Sequence, residues 1–278
     1  MQCRVAPSLG TFEGNPNCVW GTTDYAYKDG RPAVFFGLYG LPDFFALWRH
    51  PGKKYILWAG TDITHFRNGY WLEEGGGIRL DPGPLAEWIQ KNCESWVENE
   101  VEREALEEFG IIAQVCPSFL GDVKDYEITY HQNSRPQVYA SVSGENFDEY
   151  GWKVIEEIAG KCAVDFHLYG NHDEWKTEHH NVFVHGRVPK EVMNEEIKNM
   201  QAGLRLNVFD GFSEVLAKSV LWGQWPITWS AFGYKYIDSA NTRDGLIAHL
   251  NNLKNKSGPN EMARKYYLAN LNMYPWKK

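Results

Sequence analysis

From Val138 to Thr228, short apolar runs alternate with helical segments, and this alternation constrains the chain more than any other feature. Strands read at Val138–Val142, Ala163–Tyr169, Asn181–His185, Leu204–Val208 and Pro226–Thr228. Between them, helices read at Tyr150–Gly160, at Lys190–Ala202 with Met193, Ile197 and Met200 on one stripe, and at Phe212–Trp222. A strand that is apolar on both faces must be covered on both, and a helix between successive strands returns the chain parallel to its last pass. The pattern therefore predicts a parallel sheet with helices on its two faces. Two further helical segments, Asp244–Leu253 and Pro259–Leu271, follow.

The first half reads as a second α/β region. A strand at Ala33–Phe36 leads to a helix near Asp43–His50, and a strand at Lys54–Trp58 runs into the polar turn Ala59-Gly60-Thr61-Asp62. Glu73-Glu74 precede a triple-glycine turn, and Pro82-Gly83-Pro84 opens another helix. Glu94–Phe109 reads as one amphipathic helix, with Val97, Val101, Ala105 and Phe109 at four-residue steps and its acids on the solvated face. A strand at Ile111–Val115 follows it, and the polar stretch Gly121–Pro136 reads as a linker. We expect two domains, residues 1–133 and 134–278, with the last helix free to return to the first. A chain of 278 residues buries roughly 75% of its unfolded surface, so neither domain needs a disulfide or metal staple.

Charge and cysteine usage narrow the function classes. Lys and Arg total 28 against 36 Asp and Glu, a net charge of −8 with no basic block, which argues against broad attraction to nucleic acid or anionic lipid. The five cysteines are scattered and form no C-x-x-C pair, as expected in a reducing compartment. The start, MQCRVAPSLG, lacks the charged and apolar stretches of a secretory signal, and the apolar window Pro32–Trp48 is too short and too interrupted to span a bilayer. A cytoplasmic protein is expected.

In an open parallel sheet, ligands bind beyond the carboxyl ends of the strands, where helix N-termini offer free N–H groups to anions. Four loops qualify: Ser143-Gly144-Glu145-Asn146, Gly170-Asn171, Gly186-Arg187-Val188-Pro189 and Phe209-Asp210-Gly211-Phe212-Ser213. The last is the richest. Its Gly and Ser open a helix that could cradle a diphosphate, and Asp210 could accept from sugar hydroxyls. Equally, Asp210 and Ser213 could do no more than cap that helix, and spacing alone leaves both readings open. His167, His172, Asp173, Glu174, His179 and His180 match no familiar metal-ligand spacing and read as a strand residue and a solvated loop. No metal is expected.

Leu204-Arg205-Leu206-Asn207, Asp210-Gly211-Phe212-Ser213, Gly223 and Pro226-Ile227 together resemble the donor-binding segment of retaining GT-B glycosyltransferases (group 1, family 4-like). Phe183–Pro189 and Lys153–Ala159 fall in the family's order, and Trp58-Ala59-Gly60-Thr61-Asp62 is similar to a strand end seen in some polysaccharide glycosyltransferases. The resemblance implies two Rossmann-like domains facing a cleft, the first of them reduced. It also implies metal-independent transfer of a hexosyl group from a nucleotide-sugar co-substrate to an acceptor hydroxyl, with retention and without a further cofactor. Asp210 would then serve catalysis, and Asp62 would position the acceptor or sugar. Ser143, Gly144, Lys153, Gly170, His185, Arg187, Arg205, Gly211, Phe212, Ser213, Glu214 and Lys218 would line the donor.

Two departures stand out. Lys218 occupies the place of the family's second acid, the ribose ligand, which leaves Glu214 one turn earlier as a substitute. The family's Arg and Lys for the diphosphate are absent after the first strand of the second domain, which shifts that task to Lys153, Arg187, Arg205 or Lys218. The same departures fit a non-catalytic relative that binds a sugar nucleotide or glycan. A third reading keeps the chemistry and makes the acceptor a DNA base, as in viral DNA glycosyltransferases.

Overall fold

A computed structural model describes residues 1–70, 79–141, 148–170, 176–229 and 232–277. The chain forms two compact units. One comprises Met1–Asp122, Phe209–Phe212 and Asn270–Lys278, the other Val123–Val208 and Ser213–Ala269.

The first unit is built on β1 (Gln2–Val5), α1 (Asn15–Trp20), β2 (Thr23–Asp24), β3 (Ala33–Phe36), α2 (Leu41–Arg49), β4 (Lys54–Leu57), α3 (Thr61–Arg67), α4 (Pro82–Asn92), β5 (Cys93–Val97), α5 (Glu100–Glu107) and β6 (Ala113–Val115). Its parallel sheet has the order β2-β1-β3-β4-β5-β6. Ala33, Val34 and Phe35 are wholly buried, as befits a central strand covered on both faces. One face packs Phe35, Ile56 and Val97 under Leu47, Ile63, Phe66 and Ile89. The other packs Phe36, Tyr55 and Trp96 against Trp20, Tyr274 and Trp276, so the last residues of the chain complete this core.

The second unit contains β7 (Gln137–Ser141), α6 (Trp152–Ile158), β8 (Asp165–Tyr169), β9 (Val182–Gly186), α7 (Lys190–Ile197), β10 (Ala202–Arg205), α8 (Glu214–Leu221), β11 (Ile227–Thr228), β12 (Asp238–Ser239), α9 (Arg243–Asn252) and α10 (Glu261–Asn270). Its parallel sheet runs β12-β11-β10-β7-β8-β9. Val138, Phe166, Leu168 and Leu204 pack under α6 and α9. Tyr139, Tyr169 and Val215 pack with Ile197 and Met200 on the opposite face. Both sheets have six strands among the described residues.

The strands of the second unit follow the sequence pattern closely, whereas three features differ from it. Residues 94–109 are not one helix: Cys93–Val97 is a strand between β4 and β6, and α5 begins only after Asn99. Asn99 caps that helix by accepting from the Glu102 amide at 3.0 Å, which ends the apparent periodicity. Gln2–Val5 is a strand inside the sheet, and the Gln2 amide, buried completely, donates to the Asp29 and Arg31 carbonyls. Finally, the units part at Asp122/Val123 rather than at residue 133, because the expected linker is tied into the second unit. Thr129 and Tyr130 donate their amides to the Trp222 carbonyl, and the Tyr130 hydroxyl reaches Lys256 O at 3.0 Å. It is the segment after α10, not the helix, that belongs to the first unit. Among the described residues, no helix is long and apolar enough to cross a membrane.

Candidate functional site

At the carboxyl end of the second sheet, Gly170 follows β8 with φ +153° and donates its amide to Gly186 O at 2.9 Å, which draws the ends of β8 and β9 together. His185, on β9, stacks on Tyr169 with centroids 4.5 Å apart and planes within 8°. Its Nε2 lies 2.9 Å from His167 Nδ1, and Tyr169 donates to Glu196 at 2.6 Å. Burial, reinforced by His185, holds His167 down at about 4, so this imidazole is neutral near pH 7. Arg187 follows on an exposed turn before α7. The Arg205 guanidinium lies over the Tyr150 ring at 4.6 Å. Lys153 is exposed on α6 and pairs with Asp148 at 2.5 Å.

Ser213 begins α8 as a cap, its Oγ accepting from the Leu216 amide at 3.4 Å. Glu214, the next residue, is held by two cations, Lys218 at 2.9 Å and Lys190 at 3.3 Å. Burial works against the Glu214 carboxylate, but the two lysines outweigh it and keep it below the ordinary range. Lys218 is 4% exposed, and burial lowers its ammonium against the pull of Glu214. Lys218 therefore does not stand alone where the family's acid is expected. It turns back one helical turn to Glu214, which is in turn not free to take over a ribose contact. Ser143 and Gly144, with His172, Asp173 and Glu174, lie outside the described residues.

Asp210, Gly211 and Phe212 belong with the first unit, and the reason is local bonding. Asn99 donates its side-chain amide to Asp210 O at 2.7 Å, and the Phe212 amide donates to Glu98 Oε2 at 2.8 Å. A Cβ at Gly211 would run into the Glu98 carboxyl, so only glycine fits beneath it. Gly60, at φ +81°, approaches the same loop, where a Cβ would lie 3.0 Å from the Gly211 amide and 3.2 Å from Glu102 Oε1. The segment that reads as continuous in the sequence is thus divided: the loop packs on β5 and α5, and Ser213 starts the helix of the second unit.

Asp62 is completely buried, accepting from the Leu38 amide at 2.8 Å and the Ala59 amide at 2.9 Å, and so it ties the turns after β3 and β4 together. Burial pushes its carboxyl up to about 6 despite those bonds. Beside it lie two acids that helical periodicity assigns to solvent. Glu98 is 8% exposed and is pushed up to about 8, by burial first, with Asp210 adding to the effect. Glu102 is wholly buried and raised well above the ordinary range by burial and by Glu98. Its Oε2 accepts from the Glu98 amide at 2.7 Å, and its Oε1 has no hydrogen-bond partner among the described residues. Burial and Asp62 push the phenol of Tyr39 upward as well. The one sequence signal for this nest was Asn99-x-x-Glu102, the spacing of a capping box, which places a helix start where an uninterrupted helix had been read.

No protein-family model matches the sequence, and no curated protein matches it. Solved structures do match. The lipopolysaccharide outer core galactosyltransferase WaaB superposes with a TM-score of 0.60 at 13% identity, covering 88% of this chain and 72% of its own. Sucrose-phosphate synthase from Thermosynechococcus elongatus gives 0.57 at 10% identity, covering 86% and 69%. The fold is that of the GT-B glycosyltransferases. TarM gives 0.58 at 13% identity over 86% of this chain, which spans only about half (51%) of TarM's length. A variant of S. aureus TarM with the same fold, at a TM-score of 0.55, was solved with fondaparinux, alpha-GlcNAc-glycerol and UDP.

Proposed function

We propose that this GT-B chain is a retaining glycosyltransferase that moves a hexosyl group from a nucleotide-sugar to an acceptor hydroxyl. The observation that carries the reading is the capped start of α8, whose first residues are flanked by Lys190 and Lys218. Asp210 would hold hydroxyls of the donor sugar. The N–H groups opening α8, with the net positive set Lys190-Glu214-Lys218, would meet the diphosphate. Gly170, His185 and Arg187 would line the nucleotide, with Arg205 beyond them. The departing phosphate can take the acceptor proton, so no strong base is required, and Asp62 acts only by holding two turns.

In this reading the donor is a nucleoside-diphosphate sugar, UDP-linked by analogy with the TarM complex, and the acceptor is a glycan or small molecule. The cationic groups named above stand in for a divalent ion, so turnover should survive EDTA. All five cysteines are free, which supports a reducing compartment, the cytoplasm. Thermal-shift measurements against UDP-, GDP-, ADP- and TDP-sugars test the reading, since a ligand of the native state raises stability by mass action. Stabilisation by one of them followed by sugar transfer is expected, and the absence of any shift overturns it. A binding protein without turnover is the second reading, favoured by the fact that Glu214 already engages both lysines. Nucleotide binding without transfer or donor hydrolysis selects it. Binding to duplex DNA that falls steeply with salt would instead point to a nucleic-acid acceptor, against the −8 charge.

A further inference from the structure

Glu98 has no part in the chemistry proposed above, yet it is the group to which the Asp210 loop is fastened. One of its oxygens accepts from the Phe212 amide at 2.8 Å, and the other bonds the Ser118 hydroxyl. Two residues before Phe212, the Asp210 carbonyl is held by Asn99 at 2.7 Å, and Gly211 leaves no room for a side chain against Glu98. The loop backbone is therefore tied to the end of β5 on both sides of Gly211. Fixing the backbone on both sides fixes the point from which the Asp210 side chain extends.

We propose that Glu98 is a positioning residue for glycosyl transfer, holding the Phe212 amide and Ser118 so that the loop presents the Asp210 carboxylate in one direction. The proposal rests on the reading that Asp210 engages the donor sugar. The groups around Glu98 favour a neutral carboxyl there. Glu102 faces it from α5 and Asp210 from the loop, while Cys116 and Tyr274, both pushed up by burial, face it from the segment after β6 and from the chain's last residues. Asp62 and Tyr39 face Glu102, and Lys277 acts on Cys116. Burial and these acids keep the Glu98 proton on up to about pH 8. In that form its carbonyl oxygen still accepts the Phe212 amide. Glutamine keeps that acceptor without the ability to ionise. Above pH 8 a Glu98 carboxylate repels Glu102 and Asp210, and the loop loosens.

The test compares wild type with Glu98→Ala, Glu98→Gln and Ser118→Ala between pH 6 and 9.5, reading amide hydrogen exchange over residues 209–212 together with kcat and donor KM. Glu98→Ala should speed exchange at Phe212 and lower kcat roughly tenfold, the effect of one lost hydrogen bond, with little change in KM. Glu98→Gln should rescue both readouts and abolish the alkaline fall in kcat expected of wild type. Ser118→Ala, which removes a bond that lowers the Glu98 pKa, should move that fall to higher pH. A folded Glu98→Ala protein with unchanged exchange and turnover overturns the proposal, as does a glutamine variant no better than alanine. Should Glu98→Ala not fold, an alkaline fall that stays in place in Ser118→Ala overturns it. Expected exchange behaviour with no turnover in any variant, wild type included, sinks the transferase reading and the catalytic role with it, while the loop anchor stands.

Discussion

The carboxyl ends of the two sheets treat acids in opposite ways. Beyond β5, Glu98 and Glu102 sit among other carboxylates in a buried nest, and burial with like charge raises both. At the start of α8, Glu214 is also largely removed from water, yet two lysines hold it low. The same side chain is a proton holder in one place and a fixed anion in the other. What decides is the sign of the neighbour, because burial alone pushes every carboxyl upward. The first arrangement suits fixing a backbone loop without adding charge beside Asp210. The second leaves a helix start with a net positive charge, two lysines to one carboxylate.

The comparison breaks most readily at Lys218. Replacing it with Glu sets two acids one turn apart and leaves Lys190 as the counter-charge. A cost of about 3 kcal/mol is expected, the low end for a broken buried pair because Glu214 keeps 32% of its side chain exposed. Urea unfolding measures it. A variant as stable as wild type would show that Lys218 does not hold Glu214, and tighter nucleotide binding would show that the family's acid had been restored. Asp210→Asn keeps the loop backbone contacts and removes only the charge. We expect turnover to fall roughly tenfold to hundredfold, the worth of one charged hydrogen bond, with nucleotide affinity nearly unchanged in calorimetry. Equal losses in both would move Asp210 from the sugar to the nucleotide.

The acid nest is tested by its pH response. The carboxyl of Glu98 loses its proton near 4.5 when unfolded and near about 8 when folded, so between these values the native state binds the extra proton. Stability must then fall as pH rises through that window, by about 1.4 kcal/mol per pH unit from a fully shifted group. Asp62 adds the same sign between 3.8 and about 6. Denaturant midpoints at pH 6, 7 and 8 should decline in wild type and flatten in Glu98→Gln. A midpoint that rises with pH would mean that the nest is ionised and paired.

The second sheet was legible because its elements are long relative to their connections and each carries a single period. Strands from β7 to β11 and the helices between them fall within a few residues of the pattern, and Ser213 caps the helix that the sequence places there. The first unit hid more. Gln2–Val5 is short and carries a buried Gln and Arg4, so no apolar run marks it as a strand. Cys93–Val97 joins α5 so closely that Val97 and Val101 keep a helical spacing across the boundary, and only the Asn99 cap betrays the break.

The amino-acid sequence by itself determined the alternation of strand and helix, the parallel sheets that follow from it, and the short acidic segment ahead of a helix start. Those depend on neighbours a few residues away. The fate of the acids was decided only by tertiary structure. Glu98 meets Phe212 across 114 positions of chain and Ser118 across 20, and Asn99 meets Asp210 across 111. No local pattern encodes those meetings, and a carboxyl's charge at neutral pH is set by what covers it. Solvated on a helix face, as periodicity suggested, Glu98 and Glu102 would be anions facing water. Closed in by Asp62, Ser118 and the loop around Gly211, both are raised above the ordinary carboxyl range, because removing a charge from water costs more than a hydrogen bond to it returns.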